Sequence, residues 1–290
     1  MNLWQDYISP TTVSEALLAL RDSPGPAAPI AGGTDLLLDL GQGRHSPAIT
    51  LVDLTSVVEM TALESRDDVL FIGAAVALTR VANNPLAAQH AEALVEACDL
   101  IGGPQVRNVA TLGGNVAHAL PAADGTISLL ALDAVVEIAA LDGNRRLPMA
   151  ALFEGPGKSA LKPGRELIVG FHLPLKGAQE ASAFKRIMRP QGVALPVINL
   201  AVWLRRRQDT IEAVRLAMGP AGPTPRRAVE AEEVLAGRAY SDAACRLATD
   251  ALLSHASFRS SPRRASAEYR RQLAESLMQE TLACAWSRTR

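Results

Sequence analysis

Cysteine is scarce in this 290-residue chain, and the three present, Cys98, Cys245 and Cys284, lie far apart with no CxxC pair. That spacing excludes a self-contained iron-sulfur cluster or a cysteine-rich zinc site, and the three read as small buried hydrophobes. His45, His90, His118, His172 and His255 are equally dispersed, with no HxH or HxxxH pair. A metal centre would therefore require folding to gather distant ligands. No run of about 18 apolar residues occurs, so no membrane-spanning helix is expected. The N-terminal MNLWQDYISP lacks a basic segment leading into an apolar one, so no secretory signal is read and a cytoplasmic location is expected. An excess of one charge is also missing. With 29 Lys and Arg against 30 Asp and Glu, no basic field favours nucleic acid or an acidic membrane. The cluster Arg205, Arg206 and Arg207 reads as a solvated hairpin end.

Two nucleotide-binding motifs are absent as well. GPGKS at 155–159 supplies the end of a phosphate loop, but the first glycine would fall at Leu152, and neither a buried strand nor a long helix frames the segment. There is no GxGxxG, so a dinucleotide would not be held in the common Rossmann manner.

Hydrophobic residues make up 48% of the chain, enough for two or three packed units. Thr12 and Glu15 have capping-box spacing ahead of Val13, Ala16, Leu17 and Leu20, which predicts a helix to about Arg21. An apolar stretch ending at Ile30 and Ala31 runs into Gly32-Gly33, after which Thr34 caps a helix through LLLDL. ITLVDL (49–54) and VLFIGAAV (69–76) read as strands. Residues 85–102 read as one helix, with Leu86, Leu94, Ala97, Cys98 and Ile101 on its apolar face and Gly102-Gly103 stopping it. TISLLALDA (126–134) suits a short buried helix. VVEIAAL, Asp142-Gly143 and NRRLPM make a hairpin, and ELIVGFHLP (166–174) is a further strand. Beyond a boundary at 176–180 come three strand candidates, SAFKRIMR, PVINLAVWLRRR and IEAVRLAMG. Helical patterns at 223–237, 242–256 and 266–286 complete an α+β chain.

The chemical information sits in PIAGGTDLL (29–37) and ATLGGNVAHALPAADG (110–125). Each places a Gly-Gly pair beside a hydroxyl residue. Glycine lets the backbone approach an anion, and N–H groups converging at a turn or helix start attract it, so the two loops together could hold a diphosphate from both sides. Taken singly, each pair is equally explained by a tight turn.

These segments are part of an ordered series: AGGTDLL, QVRNVATLGGN, PAAD before LLALDA, FEGPGKSAL, ELIVGFHLP, AFKRIMR, LAMGPAGPTPRRAVEAE and RRASAEYRRQLAE. Over nearly its whole length the chain resembles the FAD-binding medium subunits of molybdenum hydroxylases, the xanthine dehydrogenase and aerobic carbon monoxide dehydrogenase family. The resemblance implies a two-part FAD-binding fold of the vanillyl-alcohol-oxidase (PCMH) type over 1–176, with parts at about 1–55 and 56–176. A carbon-monoxide-dehydrogenase-flavoprotein-type domain over 177–290 would follow, built as a three-stranded antiparallel sheet with a helical bundle.

By the same resemblance the candidate cofactor residues are Pro29, Ile30, Ala31, Gly32, Gly33, Thr34, Asp35, Gly102, Thr111, Gly113, Gly114, Asn115, Asp124, Ile168 and Lys185. Backbone N–H groups of both loops would grip the FAD diphosphate, with Thr34 and Thr111 adding hydroxyl donors and Asn115 an amide. Asp124 would bond a cofactor hydroxyl or amide, or else cap the following helix. Ile168 would pack on the cofactor, and Lys185 would stabilise negative charge on the reduced ring. Gly125 departs from the Ser or Thr common at that position, and 189–194 aligns with a variable loop near the flavin ring. The molybdenum cofactor and [2Fe-2S] clusters would reside on a large and a small partner subunit, in a dimer of heterotrimers with a largely apolar subunit contact. Electrons would pass from the clusters through FAD to NAD, a quinone or another acceptor. A self-sufficient flavin oxidase or reductase and a flavin-free scaffold are the alternatives.

Overall fold

In a computed structural model, which describes residues 3–189, 195–262 and 264–289, the chain begins as a small parallel unit. Strands β1 (Asp6–Ile8) and β2 (Ala27–Ile30) flank β3 (Thr50–Asp53). Helix α1 (Val13–Asp22) carries the expected capping box, Thr12 accepting from the Glu15 N–H and Glu15 accepting from the Thr12 N–H. Its buried face is Val13, Ala16, Leu17 and Leu20. Helix α2 (Leu36–Gly41) starts later than the sequence suggests: Thr34 does not cap it, and Asp35 at the cap position makes no side-chain cap bond. Gly33, at φ +67°, turns the chain, and its carbonyl accepts from the Leu37 N–H.

The second unit opens with α3 (Val58–Thr61), β4 (Leu63–Arg66) and β5 (Val69–Gly73). β4 was not legible as a strand, because two of its four residues, Glu64 and Arg66, are charged and only Leu63 is buried. β5 ends at Gly73, where a Cβ would lie 2.2 Å from the Met60 carbonyl oxygen. There follow α4 (Leu78–Ala82), α5 (Pro85–His90), α6 (Glu92–Leu100), α7 (Pro104–Arg107), α8 (Leu112–Ala117) and α9 (Asp124–Ala131), every residue of α9 being buried. The single helix expected over 85–102 is broken at Ala91 (φ −144°, ψ 52°). Its buried neighbour Ala93 donates its N–H to Ser182 Oγ and accepts from Ser128 Oγ, tertiary bonds that a sequence period does not record.

β6 (Val135–Ala140) and β7 (Gly143–Pro148) form the expected hairpin. The GPGKS segment is a second small hairpin of β8 (Phe153–Gly155) and β9 (Lys158–Ser159), not a strand-to-helix phosphate loop. β10 (Glu166–Pro174) lies between β5 and β6, completing an antiparallel sheet in the order β4-β5-β10-β6-β7.

The last sheet consists of β11 (Glu180–Met188), β12 (Pro196–Arg207), β13 (Thr210–Gly219) and β14 (Arg226–Arg227). It therefore has four strands, not three. β14 takes Arg226 and Arg227 out of the helix expected at 223–237, and behind Pro223 and Pro225 that helix shrinks to α10 (Val229–Leu235). Helices α11 (Asp242–His255) and α12 (Ala267–Ser287) match their expected spans. One sheet face adds Phe184, Ala201 and Ala217 to the core around β5, β6 and β10. The other adds Ile198, Leu200 and Val202 to a core closed by α10, α11 and α12. β11 to β13 are thus packed on both faces. Of the 189–194 segment only Arg189 lies within the described residues.

The arginine cluster is not uniformly solvated. Arg207 is 73% exposed, but Arg206 is 17% exposed and lies over the Trp286 ring, 4.2 Å from its centroid. Replacing Arg206 with Ala should therefore cost about 1 kcal/mol in urea or thermal unfolding, the scale of a shielded cation–π contact. Replacing Arg207 with Ala should stay within about 0.5 kcal/mol, as surface substitutions do.

Candidate functional site

Folding brings the two glycine loops into backbone contact. A Cβ on Gly32 would lie 2.1 Å from the Val109 carbonyl oxygen and 2.7 Å from the Ala110 Cα. Only glycine permits this approach. Gly113 is as tightly seated, with a hypothetical Cβ 2.6 Å from the Ala74 carbonyl oxygen, and its N–H donates to that same oxygen at 2.8 Å. Pro29 is exposed on β2, Ile30 is buried in a small cluster with Ala28, Ala48 and Leu51, and Ala31 is half-buried at the mouth of the turn.

The two loops differ in hydrogen bonding. Among the described residues, no bond uses the N–H of Gly32, Gly33, Thr34 or Asp35. Four consecutive donors at a turn form a nest suited to an anion. In the second loop the N–H groups from Leu112 to Asn115 are engaged, Leu112 with the Val76 carbonyl, Gly113 with Ala74, Gly114 with Thr111 Oγ1 at 3.1 Å and Asn115 with the Thr111 carbonyl at 3.1 Å, while among the described residues no bond uses the Thr111 N–H. As folded, the first loop therefore leaves more backbone N–H groups free for an anion than the second does. What the second loop offers is side chains: Thr111 Oγ1, which accepts from Gly114 and keeps its own proton, and Asn115 Oδ1, buried without a hydrogen-bond partner. Gly125 gives that amide its room, because a Cβ there would lie 2.8 Å from Asn115 Oδ1. Gly102 ends α6 in the left-handed region (φ +60°), its carbonyl accepting from Arg107 at 2.8 Å.

Asp124 does not cap α9. Ala123 occupies the cap position, and the Asp124 carboxylate turns instead toward the last sheet. Arg186 Nη1 donates to Oδ2 at 2.6 Å and Asn199 Nδ2 donates to Oδ1 at 2.5 Å. The Asp124 and Arg186 side chains are 3% and 5% exposed. Burial pushes the Asp124 carboxyl above the ordinary carboxylate range, and Arg186 and Asn199 pull against that. Ile168 is a core residue opposite Ile138, beside a bulge in β10. Lys185 is 41% exposed, with its Nζ 3.9 Å from a Glu280 carboxylate oxygen.

A cleft of about 430 Å³ opens between α6, β11 and α12, lined by Glu96, Asp99, Phe184, Lys185, Arg186 and Glu280 among others. β11 is an edge strand, and the Phe184 N–H on its open side donates to Glu96 Oε2 at 2.7 Å. Arg288 binds the Ser182 carbonyl at 2.7 Å and also pairs with Glu96. Sequence reading missed Glu96, Arg186, Asn199 and Arg288. Only Arg186, a second basic residue beside Lys185 on a predicted strand, left a usable signal. Among the described residues no group of three or more His, Cys, Asp or Glu side chains is placed to hold a metal ion, and no helix is long and apolar enough to cross a membrane.

The chain is similar in sequence and fold to known proteins. Residues 3–176 match the family model of the FAD binding domain in molybdopterin dehydrogenase, and residues 182–285 that of the CO dehydrogenase flavoprotein C-terminal domain. The nicotine 6-hydroxylase medium subunit of Paenarthrobacter nicotinovorans is 32% identical over 284 residues, covering 98% of each chain. The xanthine dehydrogenase FAD-binding subunit of Escherichia coli O157:H7 is 31% identical, covering 96% of this chain and 94% of its own. Among solved structures, a chain of carbon monoxide dehydrogenase from Hydrogenophaga pseudoflava superposes with a TM-score of 0.92 at 27% identity, over 98% of both chains.

The loop contact gives a direct expectation. Gly32→Ala forces backbone against backbone and should weaken FAD binding at least about tenfold, or roughly 1.4 kcal/mol, measured by flavin fluorescence titration. Gly41→Ala, where an added Cβ meets nothing within 4 Å, should leave the affinity unchanged.

Proposed function

This chain belongs to the FAD-binding subunits of molybdenum-hydroxylase-type dehydrogenases, and from that premise we propose that it relays electrons within a multi-subunit enzyme. It would take them from [2Fe-2S] clusters on a small subunit and deliver them to NAD, a quinone or another acceptor. A large subunit would hold the molybdenum cofactor, in a dimer of heterotrimers located in the cytoplasm. The division of labour would follow the chain, 1–176 as the FAD-binding part and 177–290 as the C-terminal part. The observation that carries the reading is the nest of unused N–H groups at 32–35, pressed against the second glycine loop.

The residues present suit FAD. The 32–35 donors would hold the diphosphate, Thr34 and Thr111 would add hydroxyls, and the unpartnered Asn115 amide would take a polar group of the cofactor. When bound, FAD accepts electrons singly and releases them singly or as a hydride, which joins one-electron carriers to a two-electron acceptor. Lys185 sets a cation on β11 beside the cleft, where it would favour negative charge on the reduced ring. The tight Gly32–Val109 contact leaves little slack between the loops, so they present their donors already in place.

Purified with the subunits that accompany it, the chain should carry one FAD, identified by its visible spectrum and by mass spectrometry after release. Lys185→Met should retain FAD within about threefold, or roughly 0.7 kcal/mol, and lower the flavin midpoint potential in a spectroelectrochemical titration. A folded but colourless complex would overturn the reading.

A further inference from the structure

Arg186 and Asn199 face each other across β11 and β12, and Gly219 continues the row on β13. All three meet the turn at 121–124. A Cβ on Gly219 would lie 2.4 Å from the Pro121 carbonyl oxygen, Asn199 Nδ2 also donates to the Ala122 carbonyl at 3.1 Å, and Arg186 and Asn199 occupy opposite oxygens of Asp124. One residue beyond Asp124, Gly125 lies against Asn115 of the second glycine loop. One residue before Arg186 stands Lys185. The cluster thus links the loop that would help hold the cofactor to the strand that carries the candidate ring cation. Arg186 Nε and Asn199 Oδ1 are buried without partners, and apart from a contact of Arg186 Nη2 with Met188 Sδ at 3.1 Å, the side-chain hydrogen bonds of both residues among the described residues go to this turn.

Resting on the FAD reading above, we propose that Arg186 is a positioning residue of the flavin site: its buried ion pair with Asp124 fixes the 121–125 turn against the last sheet and sets the charge balance felt by the cofactor. Both side chains are largely shielded from solvent, so removal of either charge leaves the other acting on its surroundings. The effects on the flavin then have opposite signs. Asp124→Asn removes a negative charge and eases reduction, whereas Arg186→Met removes a positive charge and opposes it. A purely structural role would move both variants the same way or neither.

The test is the flavin midpoint potential of the full complex at about pH 8, with circular dichroism to establish folding and flavin fluorescence to measure FAD affinity. The expected result is an upward shift in D124N, a downward shift in R186M, a return toward the wild-type value in the double variant, and rescue by R186K. FAD affinity should fall several-fold in R186M and recover in R186K. Parallel shifts, or no shift, would overturn the proposal while leaving the FAD reading intact. If R186M does not fold, D124N and R186K decide: an upward shift in the first with a wild-type potential in the second supports the pairing, and an unshifted D124N overturns it. A wild-type complex without FAD would overturn both readings.

Discussion

Among the described glycines, the tightest seat is that of Gly32 against the backbone of Val109 and Ala110, and the candidate site depends on it. Two loops separated by about 80 residues of sequence meet with no space for a single methyl group, so the site is assembled by main chain before any side chain contributes. Everything around it serves that contact. β2 delivers Gly32 from the parallel sheet, and Gly113 is locked to Ala74 just past the end of β5. The bonds of Leu78 to Ala110 and of Leu112 to Val76 hold the second loop alongside the 74–78 segment. The first loop keeps its N–H groups free, whereas most of those of the second build this seat.

The C-terminal sheet provides the other boundary. Packed against the N-terminal core on one face and against α10 to α12 on the other, it has little freedom to shift. Its edge strand is held by Glu96, Arg288 and the Asp124–Arg186 pair, and the adjoining β12 by the bond of Asn199 to Asp124. Breaking such a buried pair from one side typically costs about 3–5 kcal/mol, because the remaining charge is stranded. Loop, turn and sheet are therefore coupled by short polar bonds rather than by apolar contact alone.

Much of this was legible in the sequence, and what was missed has a common cause. The capping box at Thr12 and Glu15, the Asp142-Gly143 hairpin and the two long C-terminal helices are local features, and local chemistry announced them. The break at Ala91 lies beside Ala93, which bonds to Ser182 and Ser128, residues far away in sequence, and no period reveals such bonds. Asp124 was found, but of the two roles read for it the cap is not formed, and its bonds to β11 and β12 were not legible because those partners lie more than sixty residues downstream. The glycine pairs were recognised as close-approach sites. Which loop kept its N–H groups free depended on the Ala74 and Thr111 acceptors, which only the fold brings into place. Arg206 looked like surface charge because the Trp286 that covers it comes eighty residues later.

The most direct measurement is an experimental structure of the FAD-loaded complex, read at the diphosphate. The account predicts its oxygens within about 3 Å of the N–H groups at 32–35, with the Thr111 cap on Gly114 intact. A diphosphate bound instead by the N–H groups at 113–115, with that cap and the Gly113–Ala74 bond broken, would contradict it.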